Sequence, residues 1–322
     1  MKKVLITGAC GYLGARLSKF LAEKGHKVTA FDSYDPSTHN EWKSLMDEVV
    51  VEDIRDETVI SNLADKNFDV AIQLISLDHY KSENNPNFVS TINVMPTWNL
   101  LDSLTKNGLE KFIYFSTIHV YGNLPNEKIS EDCQPNPVNA YGLTHFLSEN
   151  ICNYFNNKTD TECINVRLSN SYGSPVFKEN NCWWLVINDL CRSAIEKNQI
   201  RLKSDGSPQR DFIHGDDVAR ATNVLIKSNI KYEHNIFHIA SGKTRTILEL
   251  AHMVKAVYNQ EYNRVIDIIL PDNSISKNSD ISNENHRVAI DTKRLNNLGF
   301  RQKINIKRGI KEIFDYLNNS NG

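Results

Sequence analysis

A doubly wound α/β fold, a parallel sheet followed by a smaller C-terminal α/β region, is predicted by three features of the sequence. The chain opens on Val4-Leu5-Ile6, then glycines at 8, 11 and 14, then an amphipathic run to Leu21. Apolar, β-branched segments recur at 27–31, 47–54, 69–75 and 111–117. Between the later segments lie helical patterns at 57–66 and 88–106, the second closed by Asn107-Gly108. Strands that alternate with helices of this length need crossover connections, and those make a sheet parallel and cover both its faces.

The first element carries chemistry. Val4 to Ile6 reads as a short buried strand, and the glycines let the backbone turn, approach a pyrophosphate closely and pack a helix on the strand. The helix that follows aims its positive N-terminal end at that phosphate. The second strand ends in Asp32, eighteen residues past Gly14, where an acid accepts hydrogen bonds from the adenosine ribose hydroxyls and repels a 2′-phosphate. No Arg or Lys follows in Ser33-Tyr34-Asp35-Pro36. A Rossmann-type dinucleotide site favouring NAD(H) over NADP(H) is therefore expected.

In such sheets ligands collect at the carboxyl ends of the strands, so Gly8 to Gly14, Asp53, Leu74 to Ser76 and Thr117 are expected around one cleft. Gln134-Pro135-Asn136-Pro137 stops the pattern, and a helix from Ala140-Tyr141 to Phe155 leads to a strand over 162–168. The nucleotide-binding domain is placed at 1–170, rejoined by about 211–242, and the substrate domain at 171–210 and 243–322. Within the latter a helix is expected over 182–197, a strand over 200–203 and a helix over 246–258, and the rejoining segment carries a further element over 236–240. The Asn- and Ser-rich stretch 272–285 reads as a mobile loop.

Composition sets the remaining bounds. With 322 residues the chain can bury a large core, and 37 basic against 39 acidic residues leave a formal charge of −2. No basic run points to nucleic acid, and no apolar run reaches the roughly 18 residues of a membrane span. The start passes from two lysines straight into a strand, so no secretory signal and a cytoplasmic location are expected. Cysteines 10, 133, 152, 163, 182 and 191 lack paired or metal-ligand spacing and read as free thiols. Cys10 reads either as a thiol acidified by a helix N-terminus or as a small residue filling the turn.

Several separated motifs together resemble the extended short-chain dehydrogenase/reductase family, in its nucleotide-sugar epimerase, dehydratase and reductase branch. They are Thr7-Gly8-Ala9-Cys10-Gly11-Tyr12-Leu13-Gly14, Asp53-Ile54, Asn93, Ser116 to Gly122, Tyr141-Gly142, Asn170 and Arg210 to Asp217. The resemblance implies an enzyme that moves a hydride between a sugar carbon and NAD, with a nucleotide-diphosphate sugar as substrate. It makes Tyr141 the acid/base, and Thr117 the holder of the substrate hydroxyl. It places Asp53 on the adenine amino group with Ile54 against the ring, and Leu74, Ser76 and Asn93 on the cofactor side. Asn170 and Arg210 fall on the substrate diphosphate, where a planar donor fork suits phosphate oxygens. Asp53 also reads as a turn cap, and Arg210 as a partner of Asp211, Asp216 or Asp217. Arg287 is a weaker diphosphate candidate.

The chain departs from the family pattern at His145. A phenol near pKa 10 is a poor base at neutral pH unless a cation stabilises its phenolate, and the family places a lysine four residues on. Here that residue is His145, on the same helical face and charged only in part at pH 7. The sign of its shift is left open by the sequence, and Glu149 reads either as a holder of its proton or as a solvated acid. Ile118-His119 stand where the branch's dehydratases carry Asp-Glu, so the resemblance points away from a 4,6-dehydratase and toward a 4-epimerase or a 4-keto-sugar reductase. His119 reads as a proton donor or as a residue lining the pocket. A non-catalytic NAD-binding sensor is the alternative. Pro96 is expected to kink its helix, Trp183 to lie in the core, and Trp184 to stack on a base or be partly buried. Helices 88–106 and 141–155 carry apolar residues on several faces, and with the resemblance this implies a homodimer.

Overall fold

In a computed structural model, which describes residues 1–123, 128–229, 234–272 and 288–320, the core is a seven-stranded parallel sheet. Its strands are β1 (Lys3–Thr7), β2 (Lys27–Asp32), β3 (Glu48–Val51), β4 (Val70–Gln73), β5 (Lys111–Thr117), β6 (Glu162–Leu168) and β7 (Ile236–Ile239). The spatial order is β7-β6-β5-β4-β1-β2-β3. Strand order reverses between β1 and β4, so a crevice opens at their carboxyl ends. Every residue of β5 is buried, as expected of a strand with helices on both faces.

Each flanking helix follows its apolar stripe. Tyr12–Glu23 buries Gly14, Ala15, Leu17, Ser18 and Leu21 against the sheet and the helix Gly215–Lys227. A second hydrophobic cluster lies outside the sheet, where Ile187, Leu190, Ile200, Leu250, Val254, Ile310 and Phe314 pack together. Strand Gln209–His214 ties the two clusters, with Ile213 in the first and Phe212 in the second. The C-terminal helix Ile306–Ser320 contributes Ile310, Ile313, Phe314 and Leu317, spaced along one face.

Strands β5 and β6 have the limits that the pattern predicts, whereas β3 and β4 are shorter than 47–54 and 69–75. The helix expected over 88–106 is two helices, Pro86–Asn93 and Met95–Leu104. Pro96 sits in the first turn of the second, where its missing N–H costs nothing, and Val94 at the break has φ −112°. The helix expected from 182 begins at Val186, because Cys182 to Leu185 form a turn. Trp183 in that turn packs on the second cluster. The Asn- and Ser-rich stretch from 273 onward, with Arg287, lies outside the described residues.

Candidate active site

The glycine loop joins β1 to its helix and is stitched to β2. The amides of Gly8 and Ala9 both donate to Phe31 O, at 2.9 and 3.1 Å. Gly8 has φ +75°, and a Cβ at Gly14 would lie 1.8 Å from Gly8 O, so neither position accepts a side chain. Asp32 closes the loop, its carboxylate accepting from Cys10 N at 2.9 Å and Tyr34 N at 3.0 Å. Cys10 is buried, and burial followed by Asp32 pushes its thiol up to about 12, so it fills the turn as an inert group.

One cavity of about 410 Å³ runs from this loop across the strand ends. Gly8, Gly11, Tyr12, Leu13, Gly14, Leu74, Ser76, Thr117, Tyr141, His145 and Asn170 all line it. Leu74 and Ile75 press on the glycine turn, with Ile75 N 3.1 Å from where a Gly8 Cβ would stand. A bare-backbone turn, a helix N-terminus and a carboxylate fixed by two amides fit a dinucleotide. Asp32, at the far side of the glycine loop, and three further residues expected on the cofactor side stand apart from the wall of this cavity. Asp53 is exposed and paired with Arg55, whose hydrogen bond holds its carboxyl below the usual range; it also caps the turn through Arg55 N at 2.9 Å. Ile54 is buried beside Ile60 and Leu63. Asn93 is wholly buried, accepting from Leu77 N at 2.8 Å and donating to Thr144 at 3.2 Å, so it orders the site by clipping the 76–79 loop to the Tyr141 helix.

That helix, Ala140–Lys158, starts where Asn139 accepts from Gly142 N at 2.7 Å. Its first turn presses on His119, since a Cβ at Gly142 would be 2.6 Å from His119 O. Tyr141 reaches Thr117 at the end of β5. Burial pushes the phenol up to about 12, the Thr117 hydroxyl pulls it down, and Asp78 raises it. One turn on, His145 is 2% exposed, with Nδ1 2.8 Å from Tyr114 Oη and Nε2 3.0 Å from Ser76 Oγ. Burial, then His119, pull it down to about 3. The sign left open by the sequence is therefore settled toward the neutral imidazole, and a charged His145 beside Tyr141 at neutral pH is corrected.

Glu149 also departs from both readings of it. It is 1% exposed and grips Arg167, itself 2% exposed, through bonds of 2.7 and 3.0 Å, while Ser116 donates to it at 2.5 Å. Arg167 continues to Tyr121 Oη at 2.8 Å, and Tyr121 to His238 Nε2 at 2.6 Å. The signal was present, since an arginine inside the apolar strand Glu162–Leu168 needs a buried anion.

A second cavity of about 450 Å³, sharing Asn170 and His119 with the first, is lined by Arg210. Arg210 is exposed and donates to Gln209 O at 2.8 Å. The three acids read as its alternative partners are engaged elsewhere: Asp211 by Ser169, Ser241 and Lys243 N, Asp216 by Arg16, and Asp217 by Arg220 and the amides of Lys303 and Ile304. Asn170 is fixed by its bond to Asp211 O at 2.9 Å. Trp184 is 56% exposed on the wall of the first cavity. His79, which sequence reasoning passed over, lies on the same wall, in the loop after β4.

Comparison with known proteins agrees with this geometry. A putative UDP-glucose 4-epimerase of Methanocaldococcus jannaschii is 25% identical over 320 residues, covering 99% of both chains. A dTDP-L-rhamnose 4-epimerase of Burkholderia thailandensis is 26% identical over 358 residues, covering 98% of this chain and 95% of the relative. The solved UDP-glucose 4-epimerase of Thermotoga maritima with UDP-glucose superposes with a TM-score of 0.84 at 20% identity, covering 99% and 100% of the two chains. The model of the NAD dependent epimerase/dehydratase family matches residues 4–240, and the chain belongs to that family.

Proposed function

We propose that this enzyme carries out NAD-dependent oxidoreduction at C4 of a nucleotide-diphosphate hexose, as a 4-epimerase. The observation that carries the reading is Tyr141, bonded to Thr117 in the wall of the cavity that the glycine loop opens. NAD, when bound, would supply the hydride acceptor and donor for the sugar carbon. Gly8 to Gly14 and Asp32 would hold it, with Leu74 and Ser76 beside it. Thr117 positions the sugar hydroxyl, Tyr141 moves its proton, and Arg210 with Asn170 receives the diphosphate. The relatives named as 4-epimerases support C4 as the reacting carbon. A binding-only role has no use for the Thr117–Tyr141 pair.

One observation favours a second reading, a reductase of a 4-keto sugar nucleotide. Tyr141 rests protonated, which suits giving a proton to a carbonyl. Incubation with UDP-glucose, UDP-galactose or UDP-glucuronic acid, followed by separation of the 4-epimers, distinguishes the two. Interconversion without added cofactor supports the epimerase, and consumption of a 4-keto sugar with one NADH supports the reductase. A protein that carries out neither reaction overturns the proposal.

A homodimer and a reducing, cytosolic setting complete the reading. Phe88, Met95 and Trp98 are exposed on one helix pair, and Leu143, Leu147 and Tyr154 on the Tyr141 helix; Trp98 stacks on Tyr154 at 5.5 Å, so the patches are continuous. A second copy of the same two-helix face would cover them. Light scattering should give twice the chain mass, and Leu147→Glu should give one. All six cysteines are free thiols.

A further inference from the structure

A proton that Tyr141 takes from a substrate hydroxyl must pass on, and toward His145 the way is closed. Ser76 Oγ donates to Leu77 O at 3.1 Å, so it accepts from His145 Nε2–H. Nδ1 is then the acceptor of the Tyr114 hydroxyl. This chain of neutral groups ends on a backbone carbonyl, and its donors are all committed within it.

The other side of the phenol is open. The ring of His119 stands edge-on to Tyr141, with centroids 5.7 Å apart and planes at 82°. His79 stacks on His119 at 6.2 Å and meets Tyr141 edge-on at 6.4 Å. Both imidazoles line the cavity and keep an edge exposed to solvent. The titratable and charged groups facing this corner are Arg210, His79 and the buried His145 toward His119, Asp78 and His145 toward Tyr141, and Tyr80 toward His79. Enclosure by the cavity wall, then Arg210, then His79 hold His119 below its ordinary pKa, so at neutral pH its ring offers a lone pair.

The geometry points to His119 as the group that takes the proton onward from Tyr141, with His79 passing it to solvent. The inference rests on Tyr141 being the acid/base of the proposed function. In the oxidising direction the substrate O–H bond breaks and its proton joins the Tyr141 oxygen. The phenol's own proton moves to a ring nitrogen of His119, directly or through one water. The C4 hydride leaves with its electron pair for the nicotinamide, and the C4 hydroxyl becomes a carbonyl. In reduction each transfer reverses. The tyrosine never rests as a phenolate, which is why a neutral residue at position 145 is tolerated.

The test uses the NAD-loaded full chain with UDP-glucose and UDP-glucuronic acid as probes, reading 4-epimer formed and NADH absorbance. His119→Ala should lose about 10²- to 10⁴-fold in turnover, the scale for a positioned proton-transfer group, with NAD affinity unchanged by titration. Free imidazole should restore the rate in proportion to its concentration. His79→Ala should lose less and show a larger solvent deuterium isotope effect. The parent's rate should fall on the acid side as His119 protonates, and that limb should vanish in His119→Ala. A His119→Ala variant as fast as the parent, or slow but not rescued by imidazole, overturns the relay. Tyr141→Phe separates the two claims. If it still turns over, the acid/base assignment fails. If it is inactive while His119→Ala is unaffected, only the relay fails. A parent that converts neither probe overturns the reading and the relay with it.

Discussion

His145→Lys places a cation where the Tyr141 helix now carries a neutral imidazole, and the consequence is an ionisation that moves. The rings of Tyr141 and His145 are 4.5 Å apart, centroid to centroid. A unit charge at that distance from a phenolate is worth about 3.7 kcal/mol at an effective dielectric of about 20, which is about 2.7 pH units. Tyr141, held at about 12, should then ionise near about 9. The ammonium finds acceptors in the Tyr114 and Ser76 oxygens and in the phenolate, while burial opposes its charge, so the worked shift is a ceiling. The assay is an ultraviolet difference titration of tyrosinate, and with 12 tyrosines in the chain the Tyr141→Phe counterpart of each variant supplies the baseline. The pH–rate profile should extend its plateau in the same direction. If the Tyr141 ionisation stays where it is in the parent, position 145 does not govern the phenol, and the reasoning from charge and burial is wrong.

Three further outcomes follow from the same structure. Glu149→Gln leaves the Arg167 guanidinium buried without its anion, and should cost ~3–5 kcal/mol of unfolding free energy in urea melts; replacing both partners by Met should cost less, and a Gln variant as stable as the parent would show that the pair does not balance the charge. Asp32→Ala should raise the affinity for NADPH relative to NADH in fluorescence titrations, because in the proposed site the carboxylate held by Cys10 N and Tyr34 N would face a 2′-phosphate, and an unchanged preference would refute that placement. His145 and His238, held down to about 3 and about 4 by burial, take up protons on unfolding below their free value. Their folded pKa values are lowered, so this stability is fully present above about pH 6.5 and is lost as pH falls, at ~1.4 kcal/mol per pH unit for each ring; His238→Gln should flatten that slope between pH 4 and 6.5 in urea melts, and an unchanged slope would contradict the burial argument.

The elements legible from sequence were those whose signal is local. Lys111–Thr117 and Glu162–Leu168 are continuous apolar runs that no helix period fits, and both have the limits the pattern predicts. Gly14 was legible because helix packing on Gly8 O admits no Cβ at all. The break at Val94 was hidden, since a proline two residues on can either kink a helix or start a new one, and the choice depends on the neighbours of Val94. The helix Gly215–Lys227 was passed over because its first turn, Gly-Asp-Asp, reads as a loop; its cap is His214, which accepts from Asp216 N and is an uncommon residue at that place.

At the site, residue types were legible and charge states were not. Spacing puts Tyr141, His145 and Glu149 on one helical face, and all three do lie on the same side, but a face says nothing about depth. Depth decides the rest. Glu149, one turn below the cavity, is buried far enough that only a guanidinium can hold it, and Arg167 comes from a strand eighteen residues later. With the acid committed there, it has nothing left to share with His145, which is enclosed by Tyr114 and Ser76 and stays neutral. The Tyr141 phenol is thus flanked on one side by an uncharged pair of hydrogen bonds, and on the other by two solvent-edged imidazoles, His119 and His79, which lie forty residues apart in the chain and meet through their loops, so the proposed relay runs on their side.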